Sequence, residues 1–288
     1  MLIKLFTLYI YLQTSLCGCG PDRRSGGFEK PAFGYELERV GRLDERVQES
    51  SGLAKAGNNT FWTHGDGGTP AALYRVGLNG ELLQTVPLDL QNLDWEELAE
   101  DEQYLYLGDF GNNLNNRRDL RIHRIRKSDL RHTGTTAFSL EDQTAFPPAD
   151  TDMRFDLEAF FHHQDSLYLF NKSRGKDKQL KLYTLPAQAA KEQAVLREQL
   201  PIHAMATAAD ISPDGKQFAV LAYGKLYLFE VENGAIHLNA KRYCIPVAKT
   251  GQAEAVLYLS PGQLLITNEN GKMFTLTIGR GAPAAKAH

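Results

Sequence analysis

Cysteine is scarce in this chain: three residues in 288, at positions 17, 19 and 244. The first two fall in an N-terminal segment expected to be processed or acylated. That leaves Cys244 as a lone thiol and implies no intrachain disulfide and no cysteine-built metal centre. An excess of charge is also missing. Lys and Arg number 32 against 35 Asp and Glu, a formal net charge of −3, so no global field draws nucleic acid. The one long apolar run, Leu5 to Leu16, is too short to span a bilayer as a stable helix. No GxSxG, HExxH or P-loop pattern occurs, which removes the sequence support for serine hydrolase, zincin and NTP-binding chemistry. Helical periodicity is nearly absent too. Only PAQAAKEQAVLREQL (186–200) is compatible with a helical turn or two.

What is present begins with an export signal. Lys4 precedes the apolar run, which ends in Leu16-Cys17-Gly18-Cys19. Leu at −3 and Gly at −1 resemble a bacterial lipobox and make Cys19 the expected lipidation site. The expected location is therefore the bacterial cell envelope, facing the periplasm or the outside, with the lipid as the only membrane contact. Residues 20–34, rich in Gly, Pro and charge, read as a flexible tether. The folded domain is expected over 35–278, followed by a disordered tail, 279–288.

Within that domain the pattern is short β-branched and aromatic runs divided by Gly, Asn and Asp. Five similar first strands recur: ESSGLA, DWEELA, DLEAFF, ATAADI and AEAVLYL. Each is followed by a turn and a second strand, and a third strand carries Tyr74, His123, Tyr183, Tyr227 or Phe274 in one repeated slot. Repeats at roughly 40–50 residues are the mark of a β-propeller. The last unit stops after its third strand, and Tyr35–Val40 supplies a spare strand to close it. The expected fold is all-β, a five-bladed propeller closed by an N-terminal strand, with six blades as the alternative.

Ser51, Glu96, Glu158, Thr207 and Glu254 open the five repeats. Antiparallel pairing is expected to set Ser51 beside His64, Glu96 beside Asp109, Glu158 beside Asn171 and Glu254 beside Thr267, all at one mouth of a central channel. Two charges about 6 Å apart at an effective dielectric of about 20 repel by roughly 3 kcal/mol. Three carboxylates at that mouth therefore favour a hard cation, and an all-oxygen flexible ligand set suits Ca2+. The expected metal ligands are Ser51, Glu96, Glu158, Thr207 and Glu254. His64, Asp66 and Asp109 are candidate catalytic groups. Arg117, Lys172 and Arg174, on two long basic loops, are candidate anion-binding groups.

The order Ser, Glu, Glu, hydroxyl, Glu resembles the calcium-activated nucleotidases, the soluble apyrase family of five-bladed propellers. The resemblance implies a Ca2+ ion in the channel held by one residue per blade, at those same five positions. Asp66, Lys172 and Arg174 sit where that family places acidic and basic groups. WTHGDGG, DWEELA and GDFGNN together look like a group of uncharacterised secreted bacterial propellers. Two functions stay open: a calcium-centred monomer that binds a small anionic ligand or a protein partner, and a Ca2+-dependent hydrolase of phosphate esters, nucleotides or lactones.

Overall fold

A computed structural model describes residues 18–279 except 48, 176 and 177. The expected signal sequence before Gly18, Lys176 of the basic loop and the tail beyond Gly279 lie outside the described residues. One helical turn and a half, α1 (Gly20–Ser25), precedes strand β1 (Gly34–Arg42). Strands β2 (Ser50–Lys55), β3 (Thr60–Gly65), β4 (Ala72–Gly77) and β5 (Leu82–Pro87) form an antiparallel sheet in sequence order. So do β6 (Trp95–Glu100), β7 (Tyr104–Asp109), β8 (Leu120–Arg126) and β9 (Arg131–Leu140). The next run is β10 (Asp156–His163), β11 (Ser166–Lys172), β12 (Gln179–Pro186) and β13 (Lys191–Pro201), and its outer strand β13 pairs in parallel with β9. These two runs thereby share one eight-stranded sheet. Strands β14 (Ala206–Ile211), β15 (Gln217–Ala222), β16 (Lys225–Glu230) and β17 (Arg242–Pro246) make a further sheet. The last holds β18 (Ala253–Ser260), β19 (Gln263–Asn268) and β20 (Lys272–Gly279), completed by β1 with Tyr35 opposite Ile278.

The first strands of these runs touch in a closed cycle: β2 against β6, β6 against β10, β10 against β14, β14 against β18, and β18 against β2. Strands in such a ring have neighbours on both faces. Accordingly β2, β6 and β10 are buried along nearly their whole length, without inside–outside alternation. Outer strands β5 and β13 are largely exposed. The apolar cores lie between adjacent sheets. Phe161, Phe170, Phe218 and Phe229 fill one of them, and Trp62, Trp95, Leu105 and Leu107 another. Each such fully buried large side chain contributes about 1.5–3 kcal/mol. The stretch 186–200, compatible with helix in the sequence, is instead mostly β13. Its backbone groups are claimed on both sides, by β12 and by β9.

Two N-terminal expectations are corrected. Cys19 is disulfide-bonded to Cys244, 225 positions away. Its sulfur is therefore not free for acylation, and an intrachain disulfide exists after all. Nor is 20–34 a loose tether. Asp22 is fully buried, where its carboxylate accepts Lys225 Nζ at 2.5 Å, Tyr227 Oη–H at 2.8 Å and the His203 backbone N–H at 2.7 Å. Phe28 packs 4.7 Å from the Tyr227 ring, and Arg242 Nε donates to Gly26 O at 2.7 Å. A buried ammonium needs a carboxylate, and the sequence supplies it from a segment that composition alone marks as linker.

Candidate functional site

The five repeat-opening residues share a backbone feature that their sequence does not announce. The β6–β7 register steps from Trp95 opposite Asp109 to Glu97 opposite Gly108, skipping Glu96. In the same way Glu158, Thr207 and Glu254 are skipped on β10, β14 and β18, and Ser51 with Gly52 on β2. Each is the extra residue of a β-bulge, a device that re-aims one side chain without disturbing the rest of the strand. The expected cross-strand partners are displaced as a result. Asp109 faces Trp95, Asn171 faces Leu157 and Thr267 faces Ala255.

The bulged side chains do not form one ring of ligands. Ser51 Oγ donates to Glu96 O at 2.7 Å, and Thr207 Oγ1 donates to Ala253 O at 2.7 Å. Both hydroxyls therefore staple one inner strand to the next. Glu158 and Glu254 are held by Lys172, whose Nζ lies 2.9 Å from Glu158 Oε2 and 4.0 Å from Glu254 Oε2. Tyr223 Oη–H donates to Glu254 Oε1 at 2.5 Å. Burial pulls the Lys172 ammonium down, but the carboxylates of Glu158 and Glu254, with Tyr223, outweigh it and hold the group charged. Part of the acid ring thus carries its counter-ion on β11.

Glu96 faces elsewhere. One carboxylate oxygen each from Glu96, Asp94 and Asp66 lies within 4.8 Å of the others. Among the described residues this trio accepts a single hydrogen bond, from the Gly67 N–H to Asp66 Oδ1 at 2.6 Å, and no cation lies within salt-bridge distance of it. At an effective dielectric of about 20, each pair at that spacing repels by roughly 3 kcal/mol. Burial pushes Glu96 well above the ordinary carboxylate range, and Glu158, Asp66 and Asp94 push it further. Asp66 is raised to about 6, mainly by burial.

The backbone is built to allow this crowding. A Cβ on Gly111 would overlap Glu96 Oε1 and the Asp94 carboxylate, and one on Gly67 would overlap Asp94 Oδ1. Asn92 ties the two loops together, donating to Asp66 O at 2.9 Å and accepting the Trp95 N–H at 3.1 Å. An all-carboxylate donor set, a buried carboxylate with no donor of its own and a cradle that only glycine permits fit a hard cation such as Ca2+.

The other sequence candidates are tied into the scaffold. His64 is fully buried, its Nδ1–H donates to Gly65 O at 2.8 Å, and burial lowers its pKa to about 4. Asp109 is also fully buried; Arg117 Nη2 lies 3.1 Å from Oδ1, and the Asp94 N–H donates to the same oxygen at 3.2 Å. Burial pushes Asp109 up, yet His123 and Arg117 bring it below the ordinary value. Arg174 Nε binds Asp156 Oδ2 at 2.6 Å. Arg117, Lys172 and Arg174, the expected anion-binding set, are therefore each paired with a carboxylate of the protein.

Sequence reasoning passed over Asp94, Asp156 and Glu97. Asp94-x-Glu96 and Asp156-x-Glu158 share one spacing, a signal that could have found the first two. Glu97 carries none. It is fully buried and accepts the backbone N–H groups of Leu53, Leu98 and Ala209, from β2, β6 and β14. It thus pins strands on different sides of the channel.

No protein-family model and no curated protein matches this chain in sequence. Solved structures do resemble it. The PQQ-bound aldose sugar dehydrogenase from Streptomyces coelicolor aligns with 87% of this chain and 100% of its own, at 10% identity and a TM-score of 0.50. A catalytically inactive virginiamycin B lyase from Staphylococcus aureus, solved with quinupristin, aligns over 84% and 99% at 11% identity and a TM-score of 0.45. BamB from Moraxella catarrhalis aligns over 78% of this chain but 57% of its own, at 12% identity and a TM-score of 0.35. What is shared is the β-propeller fold; identities this low carry no activity across.

Proposed function

We propose that this protein is an exported five-bladed β-propeller that holds a Ca2+ ion at one side of its channel mouth and binds its ligand there. The Asp66–Asp94–Glu96 cluster is the observation that carries the reading: three crowded carboxylates without a protein cation, beside acids that each have one. The ion neutralises the cluster and offers its remaining coordination positions to ligand oxygens. The closed cycle of five inner strands supports the blade count, with the β9–β13 pairing as a bridge between the outer edges of two blades. The Cys19–Cys244 disulfide supports an oxidising compartment and so an exported protein. Binding is favoured over hydrolysis because His64 and Asp109, the groups that would move protons, are fully buried and present no surface to a substrate.

Metal analysis of the purified protein, followed by thermal unfolding in EGTA, CaCl2 and MgCl2, tests the site. Ca2+ at 100 times its dissociation constant should stabilise by about 2.7 kcal/mol. Glu96→Gln should abolish that shift, and Glu158→Gln should leave a Ca2+ response in place. Protein that contains no Ca2+ and melts identically with and without it would sink the proposal.

A further inference from the structure

The face opposite the acidic mouth carries a different chemistry. β2 and β6 end there at Lys55 and Glu100, and these two residues line two adjoining hollows. One is a cleft of about 990 Å³ between the β2–β5 and β6–β9 runs, and the other is a pit of about 420 Å³ over the channel axis. Within the cleft the acidic groups are mostly occupied. Glu100 binds Lys127 Nζ at 2.6 Å and the Lys55 backbone N–H at 3.1 Å. Asp101 accepts the N–H groups of Gln103 and Tyr104 and the Tyr106 hydroxyl. Asp129 is held by Arg126.

The donors are not occupied. The Lys55 ammonium has no carboxylate within salt-bridge distance and the Trp62 indole N–H has no acceptor among the described residues. Asp210 faces Lys55 across the pit, beyond that distance. Arg75 makes one side-chain bond, from Nε to Thr60 Oγ1 at 3.3 Å, which leaves both terminal nitrogens unused. Trp62 is 6% exposed, and what it does expose forms part of the cleft wall.

We propose that this cleft is a second binding site, taking a small organic anion with its charged group between Lys55 and Arg75 and its apolar part against Trp62. The guanidinium offers a planar fork to a carboxylate or phosphate, and the ammonium adds a point charge. The indole supplies an apolar wall with one donor at its edge.

The chain has two tryptophans, and Trp95 is fully buried, so ligand-dependent fluorescence isolates Trp62. Benzoate, phenyl phosphate and neutral benzyl alcohol are titrated in EGTA and again in CaCl2. A saturable change with benzoate assigns the charged group as carboxylate, and one with phenyl phosphate as phosphate; benzyl alcohol gives none. Lys55→Met and Arg75→Gln should each weaken binding about tenfold, the scale of one charge-assisted hydrogen bond. Trp62→Phe should silence the signal, and Ca2+ should leave it unchanged. The proposal is overturned if neither anion gives a saturable change up to about 10 mM. Unchanged affinity in a folded Lys55→Met/Arg75→Gln double variant overturns it as well.

Discussion

Replacing Lys172 with Met removes one charge, the ammonium 5.2 Å from the centre of the Tyr223 ring, while keeping most of the apolar stem. The ammonium lies 2.9 Å from Glu158 and 4.0 Å from Glu254, and its side chain is 6% exposed. At an effective dielectric of about 20 those attractions amount to roughly 6 and 4 kcal/mol. Releasing the ammonium to water recovers several kcal/mol of that. The expected net loss is about 3–5 kcal/mol, the usual outcome when one partner of a buried pair is removed. For a domain of this size that lowers Tm by roughly 10 °C.

The loss also has a direction in pH. Burial already holds Glu158 well above the ordinary carboxylate range with Lys172 in place, and the ammonium opposes that rise. Without it Glu158 rises further, so protonation favours the folded variant more strongly. The deficit should be smallest at acid pH, where Glu158 is protonated in both proteins, and deepen by up to about 1.4 kcal/mol per pH unit once the wild-type Glu158 ionises. Thermal melts of wild type, Lys172→Met and Lys172→Arg at pH 4.5 and pH 8 read this directly. The Arg variant keeps the charge and should lose much less than the Met variant. Melting within about 1 °C of wild type at pH 8, or a larger deficit at pH 4.5 than at pH 8, would refute the reasoning.

Three further outcomes are expected. Asp66, raised from 3.8 to about 6, gives stability that is full below pH 3.8 and lost as pH rises through about 6, roughly 3 kcal/mol in all. Urea unfolding in EGTA should show that decline, Asp66→Asn should flatten it, and Ca2+ should oppose it most above pH 6. Asp22→Asn strands the fully buried Lys225 ammonium and should cost about 3–5 kcal/mol, whereas Asp22→Leu with Lys225→Met should recover most of the loss. Cys244→Ser opens a loop spanning 225 positions, for which chain entropy sets a loss of up to about 5 kcal/mol. Thiol titration of unreduced protein should find neither Cys19 nor Cys244 free.

Repeat period, strand order and the closing role of Tyr35–Val40 were legible because they are local or follow from one rule applied five times. Short β-branched and aromatic runs with turn residues between them mark strands, and a unit short of one strand calls for it from the other terminus. The acid and hydroxyl positions were legible as a set for the same reason. Their destinations were not. A β-bulge inserts one residue without altering composition, so the 13-residue offset that predicts Glu96 beside Asp109 misses by one place. Lys172 looked like a loop cation open to ligands, and only the folded chain brings it 2.9 Å from Glu158.

By itself, then, the sequence determined that this chain is a repeated all-β protein with acids gathered toward one channel mouth. Tertiary structure decided which acids are paired with a cation of the protein and which have none beside them, because charge pairing depends on distances of a few ångströms. It also decided that Cys19 meets Cys244 rather than a lipid, and that Asp22 closes on Lys225. Those contacts join residues more than 200 positions apart, and no local pattern encodes them.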